Sequence, residues 1–162
     1  MKPIDHILID ISRQQLRTYG DGRELDCYTV STARNGAGEL MNSECTPRGA
    51  HEIAEKIGAD CVPNTVFVAR RPTGEIYDSA LAAQHAGRDW ILTRILWLAG
   101  REDGFNAGGE RDTKARYIYI HGTPDTTVLG QPGSRGCIRM RNDDIVALFD
   151  AVAVGTRVEI VE

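Results

Sequence analysis

The chain has 162 residues, of which 41% are hydrophobic and 26% are charged, and its formal net charge is −4. This length and composition predict one globular domain, 1–162, with its own hydrophobic core, rather than a fibrous or disordered chain. The acidic balance gives no reason to expect a nucleic-acid partner, and no apolar stretch approaches the roughly 20 residues that a membrane span needs.

The first predicted elements are two strands in residues 6–32, separated by a Gly-Asp-Gly turn signal at 20–22. Apolar and polar residues alternate on both sides of this signal, as in strands with one buried face. Residues 33–49 are rich in Gly, Asn, Ser and Pro and show no period, which predicts a loop. Residues 50–58 fit either a strand or a short helix.

The middle of the chain is predicted to contain more strands. Residues 64–70 are β-branched and apolar, and a turn is expected at 71–74. Residues 89–98 leave two possibilities open, because their apolar spacing fits a helix face while their Trp and Ile content fits a buried strand. Residues 101–115 are polar and Gly-rich, which predicts a loop, and residues 116–121 alternate as a strand.

The last elements are predicted to be a helix and a strand. Asn142 is expected to cap the helix, with Asp143 and Asp144 in its first turn, where acidic side chains are favourable. Residues 156–161 read as a closing strand. Together the elements predict a mainly β domain with one helix near the C-terminus.

The cysteines and most of the histidines show no spacing typical of a metal site or a disulfide framework. A domain of this size does not need disulfides, so three of the four cysteines are predicted to be free, mostly buried structural thiols: Cys27, Cys45 and Cys61. Three histidines lack the pairing of zinc ligands and are predicted to be ordinary polar residues: His6, His51 and His85.

The N-terminal sequence shows no secretory signal, because its apolar residues are interrupted by polar ones. We therefore expect a cytoplasmic protein. A periplasmic location is the alternative, if this sequence begins inside the mature domain.

A histidine and a cysteine stand out in residues 117–142. On the predicted strand, Tyr119 and His121 share one face, while Ile118 and Ile120 share the other, which is expected to be the core face. A lone histidine at the end of a strand is usually a hydrogen-bonded structural residue. The interpretation changes only if a reactive group lies nearby.

Cys137 is such a group. It follows Gly136 and lies between Arg135 and Arg139 in a polar loop. Cationic neighbours lower the pKa of a thiol and so favour the reactive thiolate, and histidine is the usual base for a cysteine nucleophile. Because single cysteines and histidines are common, the residues alone leave a structural interpretation of both open.

These motifs resemble the L,D-transpeptidase catalytic domain (YkuD) family. The matching stretches are His-Gly-Thr at 121–123 and Ser-Arg-Gly-Cys-Ile-Arg-Met at 134–140, and Thr-Pro-Arg-Gly at 46–49 is similar to a turn of the family. The resemblance extends over nearly the whole chain. It implies a mixed β fold, roughly a sandwich, with the cysteine and the histidine in a cleft.

The resemblance also implies a mechanism and a substrate. Cys137 would attack the carbonyl that precedes the terminal D-alanine of a peptidoglycan stem peptide, forming a thioester. His121 would act as general base and then as acid, oriented by the carbonyl of Gly122. Backbone N–H groups around Gly136 would form the oxyanion hole, and Arg139 would bind a substrate carboxylate. The resemblance implies no metal ion and no organic cofactor.

Four further residues are assigned to the substrate side of the cleft. Ser134 belongs to the motif, and Tyr119 shares the face of His121. Arg135 stands where the family usually has histidine; arginine cannot act as a base, so it is expected to supply a fixed positive charge that attracts an anionic peptide. Arg94 lies in an apolar run and needs a partner, either in an ion pair or, as we expect, in a substrate carboxylate.

The acyl-enzyme has two possible fates. Attack by water would make the protein an L,D-carboxypeptidase, and attack by an amine would make it an L,D-transpeptidase that forms 3→3 cross-links. Because no export signal is visible, we expect a cytoplasmic carboxypeptidase that trims tetrapeptide muropeptides during cell-wall recycling. The alternatives are a periplasmic L,D-transpeptidase and, because of Arg135, a catalytically inactive module that binds muropeptides.

Overall fold

The computed structural model describes residues 3–162, so the first two residues of the predicted domain lie outside the described part. Ten strands and two helices are present in this part, together with one 3-10 turn at Gly109–Arg111. The strands are β1 (His6–Asp10), β2 (Gln15–Gly20), β3 (Arg23–Thr29), β4 (Gly49–Ile57), β5 (Thr65–Val68), β6 (Arg71–Ile76), β7 (Leu92–Gly100), β8 (Tyr119–Gly122), β9 (Ile138–Met140) and β10 (Arg157–Val161). The helices are α1 (Ser79–Gln84) and α2 (Asn142–Ala151).

The strands form one mixed sheet in the order β3-β2-β1-β10-β4-β7-β5-β6. Strand β8 also pairs with β7, so the sheet branches there, and β9 pairs with β8. The pairs β1–β10 and β8–β9 are parallel, and the other pairs are antiparallel. The prediction of a mainly β fold with a mixed sheet and a helix near the C-terminus is confirmed.

The opening segment contains three strands, so the prediction of two strands in residues 6–32 is wrong. Strands β1 and β2 are joined by a tight turn in which Gln14 has a φ of +52°. A second turn, at Asp21 and Gly22, joins β2 to β3. The first turn contains no glycine or proline, so the uninterrupted alternation of the sequence conceals it.

The two ambiguous segments are both strands. Residues 50–58 form most of β4, and residues 89–98 contribute most of β7. The side chains of Leu92, Ile95 and Leu96 are all fully buried. Strand β7 is therefore covered on both faces, which removes the alternation that marks a half-buried strand.

The hairpin of β5 and β6 turns earlier than predicted. Residues 71–74, expected to be a turn, lie in β6, and Val68 pairs with Arg71 across the hairpin. The turn consists of Ala69 and Arg70, which have φ values of +49° and +64°. Neither residue type signals a turn, whereas the Pro and Gly that follow do.

Neither helix begins as the sequence suggests. Helix α1 was not predicted; the carboxylate of Asp78 caps it by accepting a hydrogen bond of 2.8 Å from the N–H of Leu81. In α2 the capping position is Arg141 rather than Asn142. The side chain of Asn142 instead points inward, where Thr93 donates a hydrogen bond of 2.6 Å to its Oδ1.

The core has two parts. The larger part fills the space between the sheet and α2. The smaller part contains Phe67, Ile95 and Tyr119, with the side chains of Trp97 and Cys137 packed against them. The thiol singled out in the sequence therefore borders a hydrophobic cluster.

His51 is a buried, neutral histidine. Its Nδ1 lies 3.0 Å from the carbonyl oxygen of Gly49, which can only accept, so Nδ1 carries the proton. Its Nε2 lies 2.9 Å from the hydroxyl of Thr113 and accepts from it. Burial lowers the pKa of His51 from 6.5 to about 4. The prediction of an ordinary, hydrogen-bonded histidine agrees with these contacts.

We expect the folded state to lose stability as the pH falls from 6.5 to about 4, because the unfolded chain gains a proton at His51 that the folded chain excludes. The full loss from this group is about 3 kcal/mol. The thermal midpoint of a His51→Gln variant should fall less over this window than that of the wild type. His6→Gln, at a more exposed histidine, is the control. Equal slopes for His51→Gln and the wild type would contradict the assignment.

Candidate active site

The parallel pair of β8 and β9 brings the two motifs together. His121 lies in β8, and Cys137 immediately precedes β9. The register pairs Ile120 with Ile138 and His121 with Arg139. The loop between the strands therefore returns the cysteine to the side of the strand that carries the histidine, which the spacing of the motifs allows.

The thiol of Cys137 is held by backbone groups. Its Sγ accepts a hydrogen bond from the N–H of Tyr119 at 3.3 Å and donates to the carbonyl of Tyr117 at 3.4 Å. Burial raises the pKa of Cys137 to about 12, although the N–H of Tyr119 and the cations Arg139 and Arg116 partly offset it. Arg139 lowers the pKa of the thiol, as predicted, but burial outweighs it, so the net shift does not favour the thiolate.

His121 is oriented by its own neighbour in the chain. Its Nδ1 donates to the carbonyl oxygen of Gly122 at 2.7 Å, which leaves Nε2 free to accept a proton. Burial lowers the pKa of His121, so the imidazole is neutral at neutral pH. In the resting site, the cysteine and the histidine are thus both uncharged.

Cys137 and His121 line the same cavity, which has a volume of about 350 Å³. Within residues 3–162, no hydrogen bond joins the two side chains directly. Catalytic hydrogen bonds are often long before substrate binds and shorten in the complex. The cavity is therefore lined by a thiol and by a histidine whose Nε2 is left free to accept a proton.

Gly122 has no room for a side chain. A Cβ at this position would lie 2.6 Å from the carbonyl oxygen of Leu92 and 3.1 Å from the Cβ of Thr93, and it would collide with the amide of Asn142. Thr93 has a φ of +76° and lies where the pairing of β7 with β8 is interrupted by a bulge. The bulge and the inward-facing amide thus fix the carbonyl that orients His121.

Arg94 lies in this bulge and not in the cavity. It is buried, and its Nη1 donates to the carbonyl oxygens of Cys61 at 2.7 Å and Thr93 at 2.8 Å. Its guanidinium packs 5.5 Å from the ring centre of Phe149. The structure brings Arg94 to neither of the partners considered from the sequence, a carboxylate in an ion pair or a substrate in the cleft.

Ser134 and Thr46 hold the loop before the cysteine. The hydroxyl of Ser134 donates to the carbonyl of Cys137 at 2.5 Å and accepts from the N–H of Gly136 at 3.1 Å. The hydroxyl of Thr46 donates to the carbonyl of Gly136 at 2.9 Å. The N–H of Gly136, which was expected to form the oxyanion hole, already donates to the hydroxyl of Ser134. The backbone N–H of Cys137 is the donor adjacent to the thiol in the sequence.

The two arginines of the motif differ in their surroundings. Arg139 forms an ion pair of 2.9 Å with Asp89 and donates to the carbonyl of Gly133 at 3.2 Å. Arg135 is exposed, and in the described part of the chain it forms no ion pair and no hydrogen bond. Arg135 lines the cavity of Cys137 and also two adjacent cavities of about 670 and 240 Å³.

Three residues of the site have no signal in the sequence. Asp89 and Arg70 line the cavity of Cys137. Arg116 is half-buried and donates to the carbonyls of Cys45 at 2.7 Å and Gly38 at 3.2 Å. Arg70 and Asp89 come from segments distant in sequence from the motifs, whereas Arg116 lies five residues before His121 but has no pattern that marks it as part of the site.

Metal ligands and membrane-spanning helices are both absent from residues 3–162. In this range, no group of three or more His, Cys, Asp or Glu side chains is placed to hold a metal ion. None of the helices in the same range combines the length and the apolar character needed to cross a membrane.

The fold and the site together define a mainly β protein with a partly buried cysteine and a neutral histidine in one cleft, at the ends of two parallel strands. The chain belongs to the family of the L,D-transpeptidase catalytic domain, YkuD, whose family model matches residues 4–160.

The chain is similar to proteins that are themselves longer. A putative L,D-transpeptidase, YqjB of Bacillus subtilis, is 28% identical over 157 residues, which are 97% of this chain and 71% of that protein. A probable L,D-transpeptidase, YcfS of Escherichia coli, is 48% identical over 160 residues, which are 98% of this chain and 44% of that protein. The chain therefore spans less than half of YcfS.

Solved structures agree with the fold. The crystal structure of L,D-transpeptidase 3 from Mycobacterium tuberculosis has a TM-score of 0.57 and covers 99% of this chain, which matches 62% of that structure. The L,D-transpeptidase from Xylanimonas cellulosilytica has a TM-score of 0.55, with 99% and 62% covered. Sequence identity is 18% in both cases, so these likenesses bear on the fold alone.

Proposed function

We propose that the protein is a cysteine acyltransferase that acts on peptidoglycan stem peptides, with Cys137 as nucleophile and His121 as base. One observation carries the proposal: the thiol and the imidazole line a single cavity, and the carbonyl of Gly122 holds the imidazole with its Nε2 free. Membership of the L,D-transpeptidase family supports the reaction class.

The uncharged resting state determines how the first step proceeds. As Sγ of Cys137 attacks the carbonyl carbon, its proton passes to Nε2 of His121, and the new C–S bond gives a tetrahedral oxyanion. The backbone N–H of Cys137 donates to this oxyanion. The imidazolium then protonates the amine of D-alanine, the C–N bond breaks, and a thioester remains. The Gly122 carbonyl stabilises the transient positive charge.

We further propose that the thioester is passed to an amine of a second stem peptide, which is L,D-transpeptidation. The names of the relatives support this choice. The two cavities that Arg135 shares with the site of Cys137 also support it, because a transferase needs room for a donor and an acceptor. Hydrolysis by the same residues, the L,D-carboxypeptidase favoured from the sequence, is the alternative outcome.

The acceptor can be identified directly. The protein is incubated with disaccharide-tetrapeptide, with and without an excess of a tripeptide acceptor, and the products are followed by mass. A cross-linked product supports transpeptidation and an exported protein. Tripeptide as the only product supports the carboxypeptidase and a cytoplasmic role in recycling. Binding without loss of D-alanine and without an adduct on Cys137 would support the inactive binding module and contradict the proposal.

A further inference from the structure

The turn between β5 and β6 presents an arginine in a strained backbone conformation. Ala69 and Arg70 are the two residues of the turn, and both have positive φ values, +49° and +64°. Two-residue hairpin turns of this kind normally use Asn and Gly, because other residues are strained there. Strained residues of this kind concentrate at functional sites. The turn therefore raises the question of what Arg70 does.

Aromatic rings hold the guanidinium of Arg70 in place. Its Cζ lies 4.6 Å from the ring centre of Tyr117 and 5.0 Å from that of Trp97, which are cation–π distances. Its Nη1 donates to the hydroxyl of Tyr119 at 3.0 Å. Trp97 is itself fixed, since its Nε1 donates to the carbonyl of Lys114 at 3.1 Å. The orientation of the guanidinium is therefore determined before any ligand binds.

This guanidinium borders the nucleophile. Arg70, Tyr117 and Tyr119 line the same cavity as Cys137. One Nη1 hydrogen bond to Tyr119 leaves most of the N–H donors of Arg70 unused. Among residues 3–162, no carboxylate forms an ion pair with Arg70, whereas Arg139, which also lines the cavity, is paired with Asp89. The cavity thus contains an oriented cation that forms no ion pair in the described part of the protein; the Glu55 carboxylate, which acts on its charge from farther away, is paired with Lys114.

We propose that Arg70 binds a carboxylate of the peptide substrate and anchors the peptide over Cys137. Planar guanidinium groups recognise carboxylates through paired hydrogen bonds, and a guanidinium that is already oriented loses less entropy on binding. The inference rests on the proposed function for the identity of the substrate. Two carboxylates flank the bond to be cleaved in many stem peptides: the C-terminal one, and the one on the side chain of diaminopimelate.

Binding can be measured without turnover. In a Cys137→Ser background, the Kd values of tetrapeptide, its C-terminal amide and its side-chain amide are compared by calorimetry. We expect amidation of the recognised carboxylate to weaken binding by about 10- to 100-fold when Arg70 is present. With Arg70→Gln, acid and amide should bind equally weakly. The position at which amidation matters identifies the carboxylate.

Two further variants guard against a purely structural effect. Arg71→Gln removes the same charge from the next residue, which is exposed and outside the cavity, and should leave every Kd unchanged. Arg70→Lys keeps the charge without the planar fork and should retain part of the preference for the acid. It also keeps the proposal testable if Arg70→Gln does not fold.

Each outcome bears on a different claim. The inference is overturned if amidation weakens binding by the same factor with and without Arg70. It is also overturned if the Arg70→Gln variant binds tetrapeptide with the same Kd as the protein that keeps Arg70. If no peptide binds, the inference and the proposed substrate class fall together. If binding depends on Arg70 and the carboxylate, but the wild type releases no D-alanine, the inference stands and the proposed function fails.

Discussion

Replacing Cys137 by alanine is expected to abolish the release of D-alanine, with a loss of at least about 1,000-fold, because no other group can carry the acyl chain. Folding should be preserved, since the change removes one sulfur atom at the border of the smaller hydrophobic cluster. The measurements are D-alanine release, the mass of the peptide adduct, and the thermal midpoint of the variant.

Cys27→Ala is the matched control, because Cys27 is an exposed free thiol on β3. The prediction that Cys27, Cys45 and Cys61 are mostly buried is wrong, since Cys27 is exposed and the other two are only partly buried. The Cys27→Ala variant should retain full activity and should still form the peptide adduct on Cys137. If Cys137→Ala retained activity, the proposed mechanism would be wrong. Slow alkylation of Cys137 at neutral pH would not by itself show that the enzyme is inactive, since burial raises the pKa of the thiol.

A Gly122→Ala substitution is expected to damage stability and catalysis together. The new methyl group meets the carbonyl of Leu92 and the amide of Asn142, which overpacks the site and should cost about 1–3 kcal/mol. Displacing the Gly122 carbonyl also releases the ring of His121, and misplacement of a catalytic group by about 1 Å costs on the order of 100-fold in rate. Denaturant unfolding and the rate of adduct formation measure the two effects.

Gly74→Ala provides the comparison for that experiment. Gly74 also has a positive φ, +90°, so alanine strains the backbone there too, but no atom lies within 4 Å of the place that its Cβ would take, and it does not line the cavity. It should lower stability without slowing the formation of the adduct. If Gly122→Ala formed the adduct at the wild-type rate, the carbonyl of Gly122 would not orient the base.

The reactive pair was predictable because both of its motifs are local in sequence. The alternation of residues 117–121 correctly indicated that Ile118 and Ile120 face the larger core and that Tyr119 and His121 lie on the other side. The strand begins only at Tyr119, because Tyr117 takes a φ of +58° that alternation does not reveal.

The surroundings of the pair were not predictable in the same way. Arg70 and Asp89 reach the cavity through the branch of the sheet at β7, a long-range arrangement that no local pattern encodes. The charge of Arg139 was visible in the sequence, but its pairing with Asp89 and the burial of Cys137 were not. Burial raises the pKa of the thiol, whereas the cationic neighbours visible in the sequence indicated a lowered pKa.

The position of β10 has a consequence for how the chain folds during synthesis. This strand is the last of the ten described strands in chain order, yet it lies between β1, with which it pairs in parallel, and β4. Until it leaves the ribosome, the strands made first and those made in the middle of synthesis each expose an unpaired edge, which other chains can join. Closure of the sheet therefore waits for β10, and such long-range pairing is slow to form.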